Sequence, residues 1–391
     1  MPLGVTLSPA KSFDVAVIGA GAFGSWTAYF LRKSGASVAL LDAYGPANAR
    51  ASSGGESRII RMGYGADEIY TRSSMRALPL WQQLFAQAGQ PALFQRTGVL
   101  WIAYEKEKYS LDTLATLQKA GAKFEKLSRD ELSRRYPQIV FDDDAWAIFE
   151  PDSGVLLARR AVQAVVEQAR KIGVDYREEA ALPPSGKGRL ATLNSASGAA
   201  ISAGTFVFAC GPWLPKVFPS LLGNRIFPTR QEVFFFGIPA GDTRFSPPAM
   251  PTWIHEKDLF YGMPDIESRG FKIAHDEHGA AVDPDTQSRI ATPEAAAAAQ
   301  RYLARRFPSL KDAPVVETRV CQYENTSSGD FLIDRHPDFE NVWLAGGGSG
   351  HGFKHGPSVG EYVAARVTTG GAVDPRYSLA TKQPMQKRAV Y

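Results

Sequence analysis

Asp14-Val15-Ala16-Val17-Ile18 runs directly into Gly19-Ala20-Gly21-Ala22-Phe23-Gly24. The first five residues read as a strand buried on both faces. In the next six, each glycine has its own task. Gly19 permits the tight turn, Gly21 lets backbone approach a pyrophosphate, and Gly24 lets helix and strand pack closely. Ala22 and Phe23 open a helix whose unpaired N–H groups suit phosphate. A helical pattern continues to about residue 34, Gly35 stops it, and a second strand over 37–41 ends at Asp42. Asp42 lies 18 residues beyond Gly24, placed to bond ribose hydroxyls and to disfavour a 2′-phosphate. A glycine fingerprint alone is weak evidence. Strand, glycine turn, helix, strand and terminal acid in that order predict a dinucleotide-binding βαβ unit, without separating FAD from NAD.

Around that unit the chain has 391 residues, enough for about two domains. Its net charge is +4, spread without a Lys/Arg block, which argues against a nucleic-acid stripe or a membrane-binding arm. Two cysteines, Cys210 and Cys321, exclude a disulfide framework. The first dozen residues lack the apolar core of a secretion signal, and no apolar run is long enough to span a membrane. The C-terminal Ala-Val-Tyr is not a peroxisomal address. A cytoplasmic protein is expected.

Further along, a Gly- and Ser-rich loop over 51–61 ends in Ser57-Arg58-Ile59-Ile60-Arg61. Helical patterns follow at 70–88 and 111–120, a turn at 149–154, and a helix at 159–172. A strand over 201–209 ends in Cys210-Gly211-Pro212-Trp213, with Cys210 read as structural. Strand-like segments at 232–237, 259–262 and 271–274 alternate with Pro/Gly loops. Thr292-Pro293-Glu294 and five alanines start a helix to about residue 306. A strand at 342–345, a glycine loop and a helix at 358–368 follow, and residues from about 374 read as a tail packed on the surface or partly mobile. No internal repeat is present.

The C-terminal third carries three further motifs: Val320-Cys321-Gln322-Tyr323-Glu324-Asn325-Thr326, Asp330-Phe331-Leu332-Ile333-Asp334, and Gly348-Ser349-Gly350-His351-Gly352-Phe353-Lys354. With residues 57–61, 149–154 and the N-terminal fingerprint, they resemble the monomeric sarcosine oxidase and N-methyltryptophan oxidase family, within the D-amino-acid oxidase superfamily. The resemblance covers nearly the whole chain. It implies FAD as cofactor and oxidation of a small amino acid or N-alkyl amino acid. A hydride passes to the flavin, the imine hydrolyses, and O2 becomes H2O2.

The resemblance also implies residue roles. Cys321 would be joined to the flavin through sulfur, and a thiolate is a suitable nucleophile for that bond. Gly19, Gly21, Ala22, Phe23, Gly24, Asp42, Ser57, Arg58, Gly211, Trp213, Gly348, Gly350, His351, Gly352, Phe353 and Lys354 would hold the cofactor. Arg61 and Lys354 would clamp the substrate carboxylate. Arg58 would face the flavin, Lys272 would stand over it and promote its reaction with oxygen, and Tyr261 and Tyr323 would line the substrate pocket.

The chain departs from sarcosine oxidase itself at two places. Four residues after Lys272, where that enzyme has histidine, stands Asp276, and its paired histidines before the arginine are here Ser53-Gly54. Both departures put sarcosine in doubt as the substrate and leave the reaction class untouched.

His255, His275 and His278 lack ligating cysteines or a His-Glu-x-x-His helix, so no metal site is expected. Gly347-Gly348-Ser349-Gly350-His351 does not match the spacing of a hydrolase elbow. A dehydrogenase passing electrons to a quinone or protein, and a non-catalytic flavin-binding module, stay open alongside the oxidase.

The expected fold is α/β (α+β). A Rossmann-like FAD-binding domain is assembled from residues 1–85, 150–225 and 318–391. A β-sheet substrate domain with flanking helices takes 86–149 and 226–317. A monomer is expected, acting on a small amino acid and O2, with no nucleic-acid or membrane partner.

Overall fold

A computed structural model of the chain describes residues 12–386. The readings of residues 1–11 and of the C-terminal Ala-Val-Tyr fall outside the described residues. The chain divides into two compact units, one drawn from Met1–Gly54, Arg159–Phe227 and Glu324–Arg388, the other mainly from Gly55–Ala158 and Pro228–Tyr323.

In the first unit, β1 (Ser12–Ile18) and β2 (Val38–Asp42) pair in parallel, joined by the helix α1 (Ala22–Lys33). The sheet runs in the order Leu332–Arg335, Val342–Gly346, Ala200–Phe208, β1, β2, Asp175–Glu178. All of these pairings are parallel except the first; a short strand, Thr192–Asn194, pairs antiparallel with Ala200–Phe208. Burial on both faces explains why β1 and β2 are apolar runs and not alternating ones: Ala16, Val17, Leu40 and Leu41 are all fully buried. Helix α1 packs against the helix Gly356–Thr369, and only glycine fits at the crossing. A Cβ on Gly360 would stand 2.6 Å from the backbone of Trp26.

The second unit is built on a mostly antiparallel sheet in the order Val315–Thr326, Ile226–Phe236, Phe271–His275, Phe260–Met263, Thr252–His255, Val99–Tyr104, Ala145–Glu150, Glu125–Leu127. The helix Pro293–Arg306 starts as its sequence predicts. Thr292 Oγ1 accepts from the Ala295 N–H, and Pro293 takes the first helical position, where no N–H is needed. The core of this unit is aromatic. Trp253 stacks on Tyr302 with ring centroids 5.5 Å apart and touches Phe307 at 5.2 Å. Each such buried ring contributes about 1.5–3 kcal/mol through area removed from water. A small antiparallel sheet places Gly154–Leu156 between Arg58–Ile60 and Phe94–Gln95.

The mixed α/β class agrees with the sequence. One local reading needs correction. The turn expected over 149–154 shrinks to Pro151-Asp152, because Phe149 and Glu150 complete the strand Ala145–Glu150 and Gly154 begins the next. Cross-strand pairing of that strand with Val99–Tyr104 overrides the local turn composition. Of the two readings of the segment from 374, the packed one describes it: Tyr377 is buried and the Arg376 guanidinium bonds Asp330 at 2.7 Å.

Candidate active site

In the first unit the expected cofactor residues collect at the carboxyl ends of the parallel strands. The Gly19–Gly24 turn follows β1, and Asp42 closes β2. Gly211 follows Ala200–Phe208, and the glycine loop follows Val342–Gly346. That edge is where open α/β sheets bind ligands.

The turn after β1 is specified tightly. Gly19 sits at φ +104°, and a Cβ on it would lie 2.4 Å from the Ala209 carbonyl oxygen. A Cβ on Gly24 would lie 1.8 Å from the Gly19 oxygen, so helix and strand close only on a hydrogen. Gly21 caps α1 without a side-chain bond, and the first turn holds no acid. Its N–H groups and the positive end of the helix are therefore left for an anion. Asp42 accepts from the N–H groups of Ala20 (2.8 Å) and Tyr44 (3.0 Å). Burial raises its pKa, with the Glu178 charge adding to the effect.

The glycine loop is held from the strand Val315–Thr326. Glu324 Oε1 accepts from the Gly348 N–H at 3.2 Å, and Thr326 N–H donates to Ser349 Oγ at 3.1 Å. Burial pushes the Glu324 carboxyl up to about 7. Gly347 and Gly350 both have positive φ. His351 stacks on Phe331 at 4.9 Å, Lys354 Nζ donates to the His351 carbonyl at 2.9 Å, and Phe353 packs against Ala22. Trp213 lies 6.4 Å from the Tyr44 ring. Cys210 is half-buried, and its removal from water pushes its thiol up, so it stays protonated as a structural cysteine would.

In the second unit a separate group forms. Arg58 Nη2 donates to Cys321 Sγ at 3.3 Å, and Arg58 Nη1 to the Ser57 carbonyl at 2.8 Å. Lys272 is 2% exposed and donates to the same carbonyl at 3.0 Å and to Ser57 Oγ at 3.2 Å. Burial, then the Arg58 charge, lowers the Lys272 pKa well below the ordinary lysine value. Tyr261 and Tyr323 share a hydrogen bond, and Tyr323 donates to Asp276 Oδ1 at 2.9 Å. Burial and then Asp276 push the Tyr261 phenol up to about 12 and that of Tyr323 well above its usual value.

Arg61 stands in an aromatic slot, 4.3 Å over the Tyr64 ring and 4.7 Å over Trp101, with Trp101 stacked in turn on Tyr109. Its loop is fixed by Glu150, which accepts from the Met62 and Gly63 N–H groups (2.6 and 2.9 Å) and from Ser153 Oγ (2.6 Å).

The expected site residues thus form two sets. Arg58, Lys272, Tyr261, Tyr323, Ser57 and Cys321 make one connected group in the second unit. Arg61 joins that group through the Asp276 charge and not by direct contact. The glycines, Asp42, Gly211, Trp213 and residues 348–354 belong to the first unit. Sequence reading missed Tyr64, Trp101 and Glu150 as the supports of Arg61, and Glu324 as the splint of the glycine loop. Glu324, an acid inside a strand motif, carried the one visible signal.

A glycine turn that admits backbone approach, an uncapped helix start and an acid at the end of β2 fit an adenine dinucleotide. The chain belongs to the DAO family of FAD dependent oxidoreductases, which matches residues 14–366. Among its relatives, monomeric sarcosine oxidase from a Bacillus species is 33% identical over 92% of this chain and 93% of its own. N-methyl-L-tryptophan oxidase from Salmonella arizonae is 29% identical over 90% and 94%. The protein is an FAD-dependent oxidoreductase related to these enzymes. The fold agrees with L-proline dehydrogenase from P. horikoshii, with TM-score 0.81 and 22% identity over 95% of this chain and 98% of that one. It agrees also with the amino acid oxidase NikD, with TM-score 0.76 and 21% identity over 94% and 97%. Among the described residues no cluster of His, Cys, Asp and Glu could hold a metal, and no helix is long and apolar enough to cross a membrane.

Proposed function

We propose that this protein is an oxidase of a small amino acid or N-alkyl amino acid, with FAD joined through Cys321 and O2 as electron acceptor. The observation that carries it is the chain of contacts Cys321–Arg58–Ser57–Lys272, which sets one nucleophile, the half-buried Arg58 guanidinium and the buried Lys272 amine side by side. When bound, FAD accepts two electrons from the substrate carbon next to nitrogen and passes them to oxygen. The residues bind, orient and supply charge. The Arg58 guanidinium donates to the Cys321 sulfur and so holds it in place for a sulfur linkage. Lys272, dry and fixed, supplies charge where oxygen gains electrons.

Arg61, its guanidinium over the Tyr64 and Trp101 rings and its loop held by Glu150, is a preorganised fork for a carboxylate. Replacing Arg61 by Ala is expected to raise the substrate KM by about 100-fold with a smaller change in kcat, the loss of a charge-assisted pair. An unchanged KM would remove the clamp. Asp276 puts an acid beside Tyr323, and here substrate choice departs from that of sarcosine oxidases.

The decisive measurement is a panel of amino acids tested twice. Without oxygen, a substrate should bleach the yellow flavin band; under air, each turnover should release one H2O2. Bleaching without peroxide would make the protein a dehydrogenase, and no bleaching by any amine would leave a non-catalytic flavoprotein. Relatives that carry the name monomeric sarcosine oxidase support a monomer. We infer a cytoplasmic enzyme acting on small molecules.

A further inference from the structure

Lys272 sits on the strand Phe271–His275, opposite Phe235 on one neighbour and Met263 on the other. It is a buried ammonium with no carboxylate in ion-pair range among the described residues. Its rings are distant partners: Phe235 and Tyr261 each lie 6.0 Å away, at the outer limit for attraction. Its two hydrogen bonds both go to one residue, the carbonyl and the hydroxyl of Ser57. The same carbonyl takes Arg58 Nη1, so one peptide oxygen serves two cations. A lysine side chain ends a flexible stem, and two acceptors on one residue are what hold its nitrogen in one place.

We propose that Ser57 is the positioning residue of Lys272, its hydroxyl and carbonyl together setting where the ammonium stands and the shared carbonyl tying it to Arg58. The resemblance put Ser57 among the cofactor residues; the geometry turns both of its oxygens toward the lysine. A hydrogen bond accepted from an ammonium favours its charged form, so Ser57 opposes the burial that drives the proton off. The other charged or titratable groups acting on Lys272 are Arg58, Cys321, Glu56 and Arg269, with the Tyr261 phenol nearby. The hydroxyl is the part that mutation can remove without disturbing the backbone.

This inference rests on the reading that Lys272 acts at the oxygen step, and the test separates the two. Reoxidation of the reduced enzyme by O2 is followed by stopped flow across pH for wild type, Ser57→Ala, Ser57→Thr and Lys272→Met, together with the absorbance spectrum of each resting enzyme. Ser57→Ala should slow reoxidation about tenfold at neutral pH. Loss of an acceptor lowers the Lys272 pKa further, so the limb where the rate falls with rising pH should move down by about one pH unit. The flavin spectrum of Ser57→Ala should shift toward that of Lys272→Met, and Ser57→Thr should restore both rate and profile. Equal profiles for Ser57→Ala and wild type would overturn the assignment, as would a Ser57→Thr enzyme as slow as Ser57→Ala. If Lys272→Met reoxidised at the wild-type rate, the oxygen role of the lysine would fail first.

Discussion

Precipitated in acid, the wild-type protein is expected to carry its yellow chromophore into the pellet, and Cys321→Ser is expected to release all of it to the supernatant. The effect is all or none because a thioether survives denaturation and a bound cofactor does not. Two features favour the bond. Cys321 Sγ accepts from the Arg58 guanidinium at 3.3 Å, a contact that orients the sulfur. The other cysteine, Cys210, is half-buried with its thiol pushed up, which makes it the poorer nucleophile. Yellow supernatant from the wild type would leave an FAD enzyme without the linkage. The same release in Cys321→Ser, with wild type retaining colour, would assign the bond to that sulfur.

The second large effect is kinetic. Lys272→Met keeps the length and apolar stem of the side chain and removes its charge. The strand Phe271–His275 should therefore stay in register, and anaerobic reduction by substrate should change little. Reoxidation by O2 should fall by about 10²–10³-fold, the scale found when one preorganised charge or donor is taken from a developing charge. Stopped-flow measurement of the two half-reactions decides it. Equal losses in both would mean that Lys272 supports the site as a whole and has no particular part in the oxygen step.

How far these features could be read from sequence depends on how local their causes are. The order β1, α1, β2 follows from a buried apolar run, three glycines and an acid within about thirty residues, and all of these are local signals. The helix Pro293–Arg306 announces itself by Thr292, Pro293 and alanines. The second sheet is different. Glu125–Leu127 is three residues long and becomes a strand by pairing with Ala145–Glu150, so nothing in its own composition marks it. The contact between Arg58 and Cys321 spans 263 residues and reached the sequence reading only through a family resemblance. The Ser57 carbonyl is invisible in principle, since every residue has one. Tyr64 and Trp101 around Arg61 look like ordinary core aromatics until the loop is folded. Asp276 was noticed as a departure, yet its bond to Tyr323 links positions 47 apart.

The parallel sheet has one more consequence, for the order of synthesis. Its strand Ala200–Phe208 lies between β1, which leaves the ribosome first, and Val342–Gly346, which leaves near the end. Thr192–Asn194 covers the start of the edge that Val342–Gly346 completes, but until residue 346 emerges Phe206, Val207 and Phe208 lack their partner strand there, an apolar edge able to recruit another chain. A nascent chain therefore carries an incomplete sheet through most of its translation, when misassociation competes with folding. Truncations of the last fifty or so residues remove an interior strand and the helix packed on α1, so they act on the centre of the first unit and not on its periphery.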